Sequence, residues 1–299
     1  MIKKYDTVRI ETIGWGIFFM KKVAVLQDLS SFGKCSLTAA IPVLSVMGVQ
    51  ACPLPTAILT AQTGFPSFHC EDFTDKMHYF EEEWTKLGVS FDGIYTGFVT
   101  GEKQINHIFR FLNTFHHAAS TLLVDPVMGD NGEAYKLFTP ALLDRMKALV
   151  READVITPNV TECCLLTGTS YEKISRYTTE RDFLKAIEEA GQQLQHMTEA
   201  QVIVTGVQPP RNGATFIGNM CFDGTTTSYG FVPYNGASYS GTGDLFASVV
   251  MGSMMRGSCL ADALTLAERF LTASIDATAR ANTPKIEGVQ FEKYLKLLL

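Results

Sequence analysis

The amino-acid sequence predicts an α/β fold in three layers, α/β/α, with a mainly parallel central sheet, helices on both faces and antiparallel edge strands. Two observations lead to this prediction. Short apolar runs rich in β-branched residues alternate with helical patterns, as in successive strand–helix–strand units. A hairpin signal, Asp223-Gly224, joins two later strand patterns at 214–222 and 225–234. Because no linker, repeat or low-complexity segment interrupts the chain, we expect one domain over residues 20–299.

The elements follow one another in a regular order. "KKVAVLQ" predicts the first strand because its apolar run is short and rich in valine, and "CSLTAAIPVLSVMG" predicts a helix with an internal proline. "EDFTDKMHYFEEEWTKLG" has amphipathic helical spacing, whereas "STLLVDPV" is typical of a strand buried on both faces. The predicted strands are 21–27, 49–55, 91–98, 120–127, 153–159 and 200–206, and the predicted helices are 35–48, 71–88, 102–117, 140–152, 178–196 and most of the chain after 244.

The composition is that of an ordinary globular protein. The 299 residues are 46% apolar and 19% charged, which is enough to bury a large core. The net charge of −6 argues against a nucleic-acid or acidic-membrane partner, because such partners need a basic face. The seven cysteines are odd in number and form no C-x-x-C pair. Reduced thiols and a cytoplasmic location are therefore expected.

The N-terminal residues 1–19 precede a natural start for the first strand at Met20. The apolar run over 13–20 is too short to span a bilayer and lacks a small-residue cleavage site. We expect residues 1–19 to be a dispensable extension.

Several common catalytic motifs are absent from the sequence. Gly33-Lys34 is followed by Cys35 where a P-loop has Ser or Thr, and position 28 is Asp rather than Gly. No G-x-G-x-x-G follows a strand, and H-E-x-x-H, G-x-S-x-G and H-R-D do not occur. What remains is four polar clusters, each after a predicted strand, where ligands bind in open α/β sheets.

The first two clusters supply carboxylates. Asp28 follows the first strand, and turning of the chain would explain it equally well. "VDPVMGDNG" places Asp125 at the end of a buried strand and Asp130 in a Gly/Asn turn. Two carboxylates at one sheet edge suit Mg²⁺, which prefers hard oxygen ligands. Turn chemistry is the alternative explanation for Asp130, Asn131 and Gly132.

The third cluster, "ITPNVTECCLL", has two explanations. Asn159 lies at a helix start and Glu162 at the N3 position, which is the spacing of a capping box. Both side chains also point towards the strand-end crevice, where Asn and Glu could hold metal-bound water and phosphate oxygens. The residues alone leave both explanations open.

The fourth cluster, "SYSGTGDLFASV", opens a late helix. Gly241 and Gly243 let backbone N–H groups converge on an anion, and the positive end of the helix adds to the attraction. Asp244 would repel a phosphate there unless it removes a proton from the attacking hydroxyl. The combination indicates phosphoryl transfer, and the alternative is an Asp N-cap after flexible glycines.

Taken together, the clusters resemble the ribokinase-like superfamily of small-molecule kinases, and most closely the pyridoxal kinases within it. The likeness spans residue 22 to about 280, and its motifs stand in the same order: Gln27-Asp28 followed by Gly33, D-P-V-M-G at 125–129, T-P-N-x-x-E at 157–162 and G-T-G-D-L-F-A at 241–247. The resemblance implies a ribokinase-like fold. It also implies ATP-dependent phosphorylation of the 5′-hydroxymethyl group of pyridoxal, pyridoxine or pyridoxamine in vitamin B6 salvage, which yields pyridoxal 5′-phosphate from pyridoxal.

The resemblance further implies roles for individual residues. Asp244 is the expected base, Gly241, Thr242 and Gly243 are the expected γ-phosphate cradle, and Asp125 and Glu162 are expected to hold Mg²⁺. A homodimer is expected, and a need for K⁺ is left open. The other residues expected to contact ligands are Asp130, Asn159, Thr205 and Gly206 on the ATP side and Asp28, Thr63 and Phe98 on the vitamer side.

Two departures from the pyridoxal kinase pattern bear on the substrate. Asp28 stands where many of these kinases have a serine, and Phe98 replaces a ring-stacking tyrosine. An aspartate after the first strand also resembles the hydroxymethylpyrimidine kinases of thiamine synthesis, although "LSSFGK" lacks their Gly-Gly-rich loop. That kinase is the alternative. A non-catalytic ligand-binding protein on the same fold is a third possibility, which the presence of Asp244, Asn159 and Glu162 disfavours.

Overall fold

A mixed sheet of nine strands carries the fold in the computed structural model, which describes residues 20–136, 138–211, 215–234, 236 and 238–299. The predicted extension over 1–19 lies outside the described residues. The strands are β1 (Lys22–Ser30), β2 (Gln50–Leu59), β3 (Cys70–Asp72), β4 (Gly93–Thr96), β5 (Thr121–Val124), β6 (Gly129–Asp130), β7 (Glu133–Ala134), β8 (Val155–Ile156), β9 (Gln201–Val207), β10 (Phe216–Phe222) and β11 (Thr227–Pro233).

The order across the sheet is β11-β10-β9-β8-β5-β4-β1-β2-β3, and β6 and β7 form a separate hairpin. The six strands from β9 to β2 in this order run parallel. The edge strand β3 and the β10–β11 pair are antiparallel to their neighbours, so the predicted hairpin at Asp223-Gly224 is confirmed. The carboxyl ends of the six parallel strands therefore meet at one edge of the sheet, where a ligand site is expected.

Helices cover both faces of the sheet, which confirms the three-layer prediction. They are α1 (Ser36–Val46), α2 (Met77–Lys86), α3 (Glu102–Phe115), α4 (Pro140–Leu149), α5 (Val160–Thr167), α6 (Tyr171–Ser175), α7 (Glu180–Thr198), α8 (Thr242–Met255) and α9 (Leu260–Arg280).

Two hydrophobic cores hold the layers together. Ala24 and Leu26 of β1 face the core formed with α2 to α7, while Val23 and Val25 face the core formed with α1, α8 and α9. This alternation explains why β1 is apolar on both faces. Helix α8 lies deepest, with every residue from Leu245 to Ser253 buried.

The structure corrects the prediction of a helix over 71–88. Cys70–Asp72 is strand β3, a 3-10 turn follows over Thr74–Lys76, and the helix begins only at Met77. The β3 backbone pairs with β2, and the Asp72 carboxylate accepts a hydrogen bond from the Thr74 N–H at 2.7 Å. Tertiary strand pairing and this local turn override the amphipathic pattern.

The predicted strands over 91–98, 120–127 and 153–159 are present but shorter, at four, four and two residues. Pro126 and Pro158 lack the N–H that a strand ladder needs. Among the described residues, no helix is long and apolar enough to cross a bilayer. All seven cysteines lie in the described part of the chain and carry free thiols.

Candidate active site

Helix α8 begins at the glycine-rich segment. Gly241 is the N-cap, with φ of 78°, and no side chain caps the helix start. Asp244 occupies the N3 position, so the alternative of an Asp N-cap is wrong. A Cβ at Gly241 would lie 1.8 Å from the Lys34 carbonyl oxygen, whereas a Cβ at Gly243 would meet nothing within 4 Å. The fold requires glycine at 241 but not at 243.

The Asp244 side chain is half-buried at the start of α8. Burial raises its pKa to about 6, because ionisation is costly away from water. The Ser36 backbone N–H lowers the pKa by stabilising the ionised form, and the charge of Asp28 raises it. A carboxylate with a pKa near neutrality is suited to accept a proton at physiological pH.

Asp28 lies within β1 rather than after it, since the strand continues to Ser30. The register with β2 shifts between Gln27 and Leu29, and such an irregularity redirects the side chain. The carboxylate is 4% exposed and accepts a hydrogen bond from the Ser30 hydroxyl at 2.7 Å. Burial raises the pKa of Asp28, and the hydroxyls of Ser36 and Ser30 oppose that rise.

A second pair of buried carboxylates lies beside the first. Burial and then the charge of Asp244 raise the pKa of Asp125 to about 7, while the Thr157 hydroxyl, which donates to Asp125 at 3.0 Å, lowers it. Burial and then the charge of Asp125 raise the pKa of Glu162 well above its ordinary value. The site therefore concentrates more negative charge than its own hydrogen bonds balance.

The capping box at the start of α5 is present. Asn159 accepts from the Glu162 N–H at 2.9 Å, and Glu162 accepts from the Asn159 N–H at 2.8 Å. Glu162 also accepts from the Met128 N–H at 3.1 Å, and the Asn159 amide donates to the Gly129 carbonyl at 2.7 Å. Each Glu162 oxygen carries one hydrogen bond and keeps lone-pair capacity for a further contact. The capping role of Asn159 and Glu162 is thus confirmed, and the Glu162 oxygens can still bind a ligand.

The donor set fits Mg²⁺ bound jointly with a nucleotide. In the described residues, no group of three or more His, Cys, Asp and Glu side chains forms a complete metal cage. Mg²⁺ typically uses one or two carboxylates, waters and substrate phosphates, and Asp125 and Glu162 supply such a pair. Their mutual repulsion provides the electrostatic reason for a cation there.

The remaining predicted residues occupy different positions. Thr205 pairs with Asn159 through an isolated β-bridge, and exposed Gly206 has φ of 69°. Asp130 is exposed in the β6–β7 turn, where Asn131 with φ of 52° donates to it, so turn chemistry is confirmed there.

Two vitamer-side residues lie at the same sheet edge without a described link to the carboxylates. Thr63 is exposed after β2, and half-buried Phe98 follows β4 and accepts from the Thr56 hydroxyl through its carbonyl at 2.9 Å. Among the described residues, neither side chain is hydrogen-bonded to Asp28 or Asp244.

Sequence reasoning missed Cys35 and Ser36 at the start of α1. Burial and the charges of Asp244 and Asp28 raise the pKa of Cys35, so the thiol stays protonated. The Ser36 hydroxyl lowers the pKa of Asp28, and the Ser36 backbone N–H lowers the pKa of Asp244. Proximity in space places these residues in the site, and no motif in the chain marks them.

Comparison with known proteins agrees with this geometry. A family model described as phosphomethylpyrimidine kinase matches residues 31–288. A crystal structure from Bacteroides thetaiotaomicron, assigned provisionally as a phosphomethylpyrimidine kinase and solved with pyridoxal, is 38% identical, has a TM-score of 0.85 and matches over 94% of this chain and 96% of that one.

Two further relatives carry different names. Pyridoxal kinase from Lactobacillus plantarum is 30% identical, with a TM-score of 0.82 and coverage of 94% of this chain and 97% of that one. The hydroxymethylpyrimidine/phosphomethylpyrimidine kinase of Bacillus subtilis is 26% identical over 93% of this chain and 90% of its own length. The solved structures match almost the whole chain, which confirms the predicted ribokinase-like fold.

Proposed function

The chain belongs to the phosphomethylpyrimidine kinase family, and on this premise we propose that it transfers the γ-phosphoryl group of ATP to the 5′-hydroxymethyl group of a B6 vitamer, pyridoxal, pyridoxine or pyridoxamine. Membership makes it a small-molecule kinase. The vitamer is the part that we propose.

The observation that carries the proposal is Asp244 at the start of α8. The substrate hydroxyl oxygen forms a bond to the γ-phosphorus, its proton passes to Asp244, and the bond from the γ-phosphorus to ADP breaks. The N–H groups at Thr242 and Gly243 lie at the positive end of α8 and stabilise the negative charge on the transferred group. With its pKa near 6, Asp244 is ionised at neutral pH and ready to take the proton.

Asp28 is proposed to hold the substrate ring. Its buried carboxylate can accept from a protonated ring nitrogen or a ring hydroxyl. Its charge acts on Asp244, so the two carboxylates are neighbours in the same crevice. Thr63 and Phe98 are proposed to contact the same ring.

Asp125 and Glu162 are proposed to be the residues that would hold Mg²⁺ together with the ATP phosphates. When bound, Mg²⁺ neutralises phosphate charge that would otherwise repel the incoming oxygen. Asn159, Thr205, Gly206 and Asp130 are proposed to contact ATP. The homodimer and the cytoplasmic location stay predictions.

Two considerations support a B6 vitamer over hydroxymethylpyrimidine. The relative solved with pyridoxal is 38% identical, although it carries a phosphomethylpyrimidine kinase name, and the Lactobacillus plantarum pyridoxal kinase is 30% identical. The β1–α1 loop also lacks a Gly-Gly pair. Asp28 and the matching family model keep the pyrimidine kinase as the second candidate.

An ATP-consumption screen with Mg²⁺ separates the candidates. Pyridoxal, pyridoxine, pyridoxamine and hydroxymethylpyrimidine are compared at equal concentrations, and the phosphorylated product is identified by mass. We expect the highest kcat/KM with a B6 vitamer. A higher kcat/KM with hydroxymethylpyrimidine would assign the chain to thiamine synthesis, and no turnover with any of the four would refute both.

A further inference from the structure

Two fully buried polar side chains lie next to the segments that are proposed to contact the vitamer. Thr56 in β2 and Gln104 in α3 are each 0% exposed. A buried hydroxyl or amide is costly unless its hydrogen bonds are made, so such a group fixes the backbone that it contacts. The hydrogen bonds of both side chains go to the backbone at Phe98, Thr100 and Thr56.

The segment over 97–101, which carries Phe98, contains no helix or strand of its own. The Thr56 hydroxyl donates to the Phe98 carbonyl at 2.9 Å. Two residues further on, the Gln104 side-chain oxygen accepts a hydrogen bond from the Thr100 N–H at 2.9 Å. Side chains from β2 and α3 therefore fix the path of the backbone at Phe98 and directly after it.

The same network reaches the neighbouring pair of strands, β2 and β3. The Gln104 side-chain amide donates to the Thr56 carbonyl at 2.7 Å, and the Thr100 hydroxyl donates to the Asp72 carboxylate of β3. Thr63 lies in the connection between these two strands. The network therefore joins the segment that carries Phe98 to the strand pair that carries the other proposed ring contact.

We propose that Gln104 and Thr56 are positioning residues for the vitamer: together they set where Phe98 stands relative to the loop of Thr63, and so fix the surface against which the substrate ring packs. Because both side chains are fully buried, they act through the backbone and not by contact with the ring. In the described part of the chain, none of these hydrogen bonds involves Asp244, so the chemical step should be little affected. The inference rests on the proposed function, because it assigns ring contacts to Phe98 and Thr63.

Thr56 allows a closely matched pair of substitutions. Thr56→Val keeps the shape of the side chain but lacks the hydroxyl, so the Phe98 carbonyl loses its donor. Thr56→Ser keeps the hydroxyl and loses only a methyl group. We expect Thr56→Val to raise KM for pyridoxal about three- to tenfold, as the weakening of one aromatic contact would. Its kcat and its KM for ATP should stay near the wild-type values, and Thr56→Ser should keep a KM for pyridoxal close to that of wild type.

Gln104→Met tests the other half of the network. Methionine is an unbranched side chain of similar length, but it cannot donate to the Thr56 carbonyl and is at most a weak acceptor for the Thr100 N–H, so KM for pyridoxal should rise at least as much. The control is Thr198→Val, at a buried threonine of α7 whose hydroxyl donates to the Leu194 carbonyl at 2.9 Å. It lies just before the amino end of β9, away from the ligand edge of the sheet, and should leave both KM values unchanged.

The experiment measures kcat, KM for pyridoxal and KM for ATP in wild type and the four variants, together with melting temperatures and hydrogen exchange in the segment over 97–101. An unchanged KM for pyridoxal in Thr56→Val and Gln104→Met, an equal rise in KM for ATP, or equal impairment of Thr56→Ser and Thr56→Val would refute the positioning role. If Gln104→Met does not fold, the Thr56 pair still decides between these outcomes.

Hydrogen exchange separates this inference from the proposed function, because it needs no substrate. In Thr56→Val and Gln104→Met, the segment over 97–101 should exchange faster than in wild type, since it has lost a hydrogen bond that fixes it. Unchanged exchange in both variants would show that the two side chains do not hold the segment. A wild-type protein inactive on every vitamer would refute the proposed function instead.

Discussion

The starts of helices α5 and α8 place an acid at the same N3 position and use it differently. In α5, Glu162 completes a capping box with Asn159 and satisfies the N–H groups of its own helix start. In α8, the N-cap is Gly241, no side chain caps the helix, and Asp244 forms no capping box. Glu162 therefore has a structural role at the start of its helix. Asp244 has no such role in α8 and is free to face a substrate.

The difference shows that a helix start that binds a ligand lacks the hydrogen bonds of a capping side chain. Without a capping side chain, α8 leaves its first N–H groups available to an anion. Its stability comes instead from the burial of nine of its 14 residues, Leu245 to Ser253. Helix α5 satisfies its ends locally, so any ligand there has to share Glu162 with the backbone.

The largest expected effect comes from Asp244→Asn. If Asp244 is the base, the amide cannot accept the proton, and kcat should fall about 10²–10⁴-fold with KM for ATP nearly unchanged. Steady-state kinetics with pyridoxal measure both values. If a folded variant keeps most of its kcat, Asp244 is not the base and, like Glu162 in its capping box, has only a structural role.

Two further measurements test the ionisation of Asp244. In the first, wild-type kcat/KM should fall as the pH drops through about 6, because protonated Asp244 cannot act as a base. Since burial raises the folded-state pKa, the ionised carboxylate destabilises the fold above that pH. Asp244→Asn should therefore unfold no more easily than wild type at pH 8, and denaturation curves at pH 8 check this.

Glu162→Gln tests whether the α5 acid has a second role. Glutamine still fits a capping box, but it keeps only one acceptor oxygen for the Asn159 and Met128 N–H groups, so the variant should lose about 1–3 kcal/mol of stability. If Glu162 also holds Mg²⁺, activity should fall about tenfold or more and recover in part at high Mg²⁺. Glu172→Gln, at an exposed carboxylate, is the matched control. Full activity of Glu162→Gln at low Mg²⁺ would show that Glu162 has only the capping role and does not hold Mg²⁺.

Substitution of the two glycines at the start of α8 distinguishes an effect on folding, expected at Gly241, from an effect on ligand binding, expected at Gly243. Gly241→Ala forces a Cβ onto the Lys34 carbonyl at a positive φ and should cost about 2 kcal/mol or more of stability. Gly243→Ala meets no protein atom and should fold as well as wild type. Its activity should nevertheless drop, because the methyl group occupies the space that a phosphate needs. Thermal melts and kcat/KM distinguish the two, and an active Gly243→Ala would argue against a cradle at this glycine.

The smallest effect is expected for the cap of α5. Asn159→Ala removes the capping oxygen and should lower the free energy of unfolding by about 1 kcal/mol. Asn159→Asp keeps a capping oxygen and should lose less. Urea unfolding of the pair measures the difference, and equal loss would show that the amide contact to the Gly129 carbonyl matters more than the cap.

Much of the fold is predictable from the sequence because apolar alternation marks each buried strand and each helix face. The succession of the six parallel strands along the chain and the β10–β11 hairpin follow from that pattern, whereas the order of the strands across the sheet does not. The start of α2 does not, because residues 70–72 pair with β2, a contact that local sequence does not encode. The ends of β5 and β8 are set by prolines whose effect is clear only once the neighbouring strands are known.

The site is predictable in part for a similar reason. Asp244 stands out because two glycines and an acid before a buried helix form a local pattern. Glu162 stays ambiguous from sequence, since a capping box and a metal ligand require the same residue at the same position. Ser36 is invisible, because its positive φ leaves no mark in the residue type itself.

The burial of α8 from Leu245 to Ser253 has a consequence for hydrogen exchange. Amide protons in such a central helix exchange with solvent mainly when the whole molecule opens. Asp244 lies in the first turn of this helix, directly before its buried stretch. On heating, the α8 amides should therefore be among the last to exchange, and hydrogen exchange followed by mass spectrometry would show whether the segment that carries Asp244 opens before global unfolding.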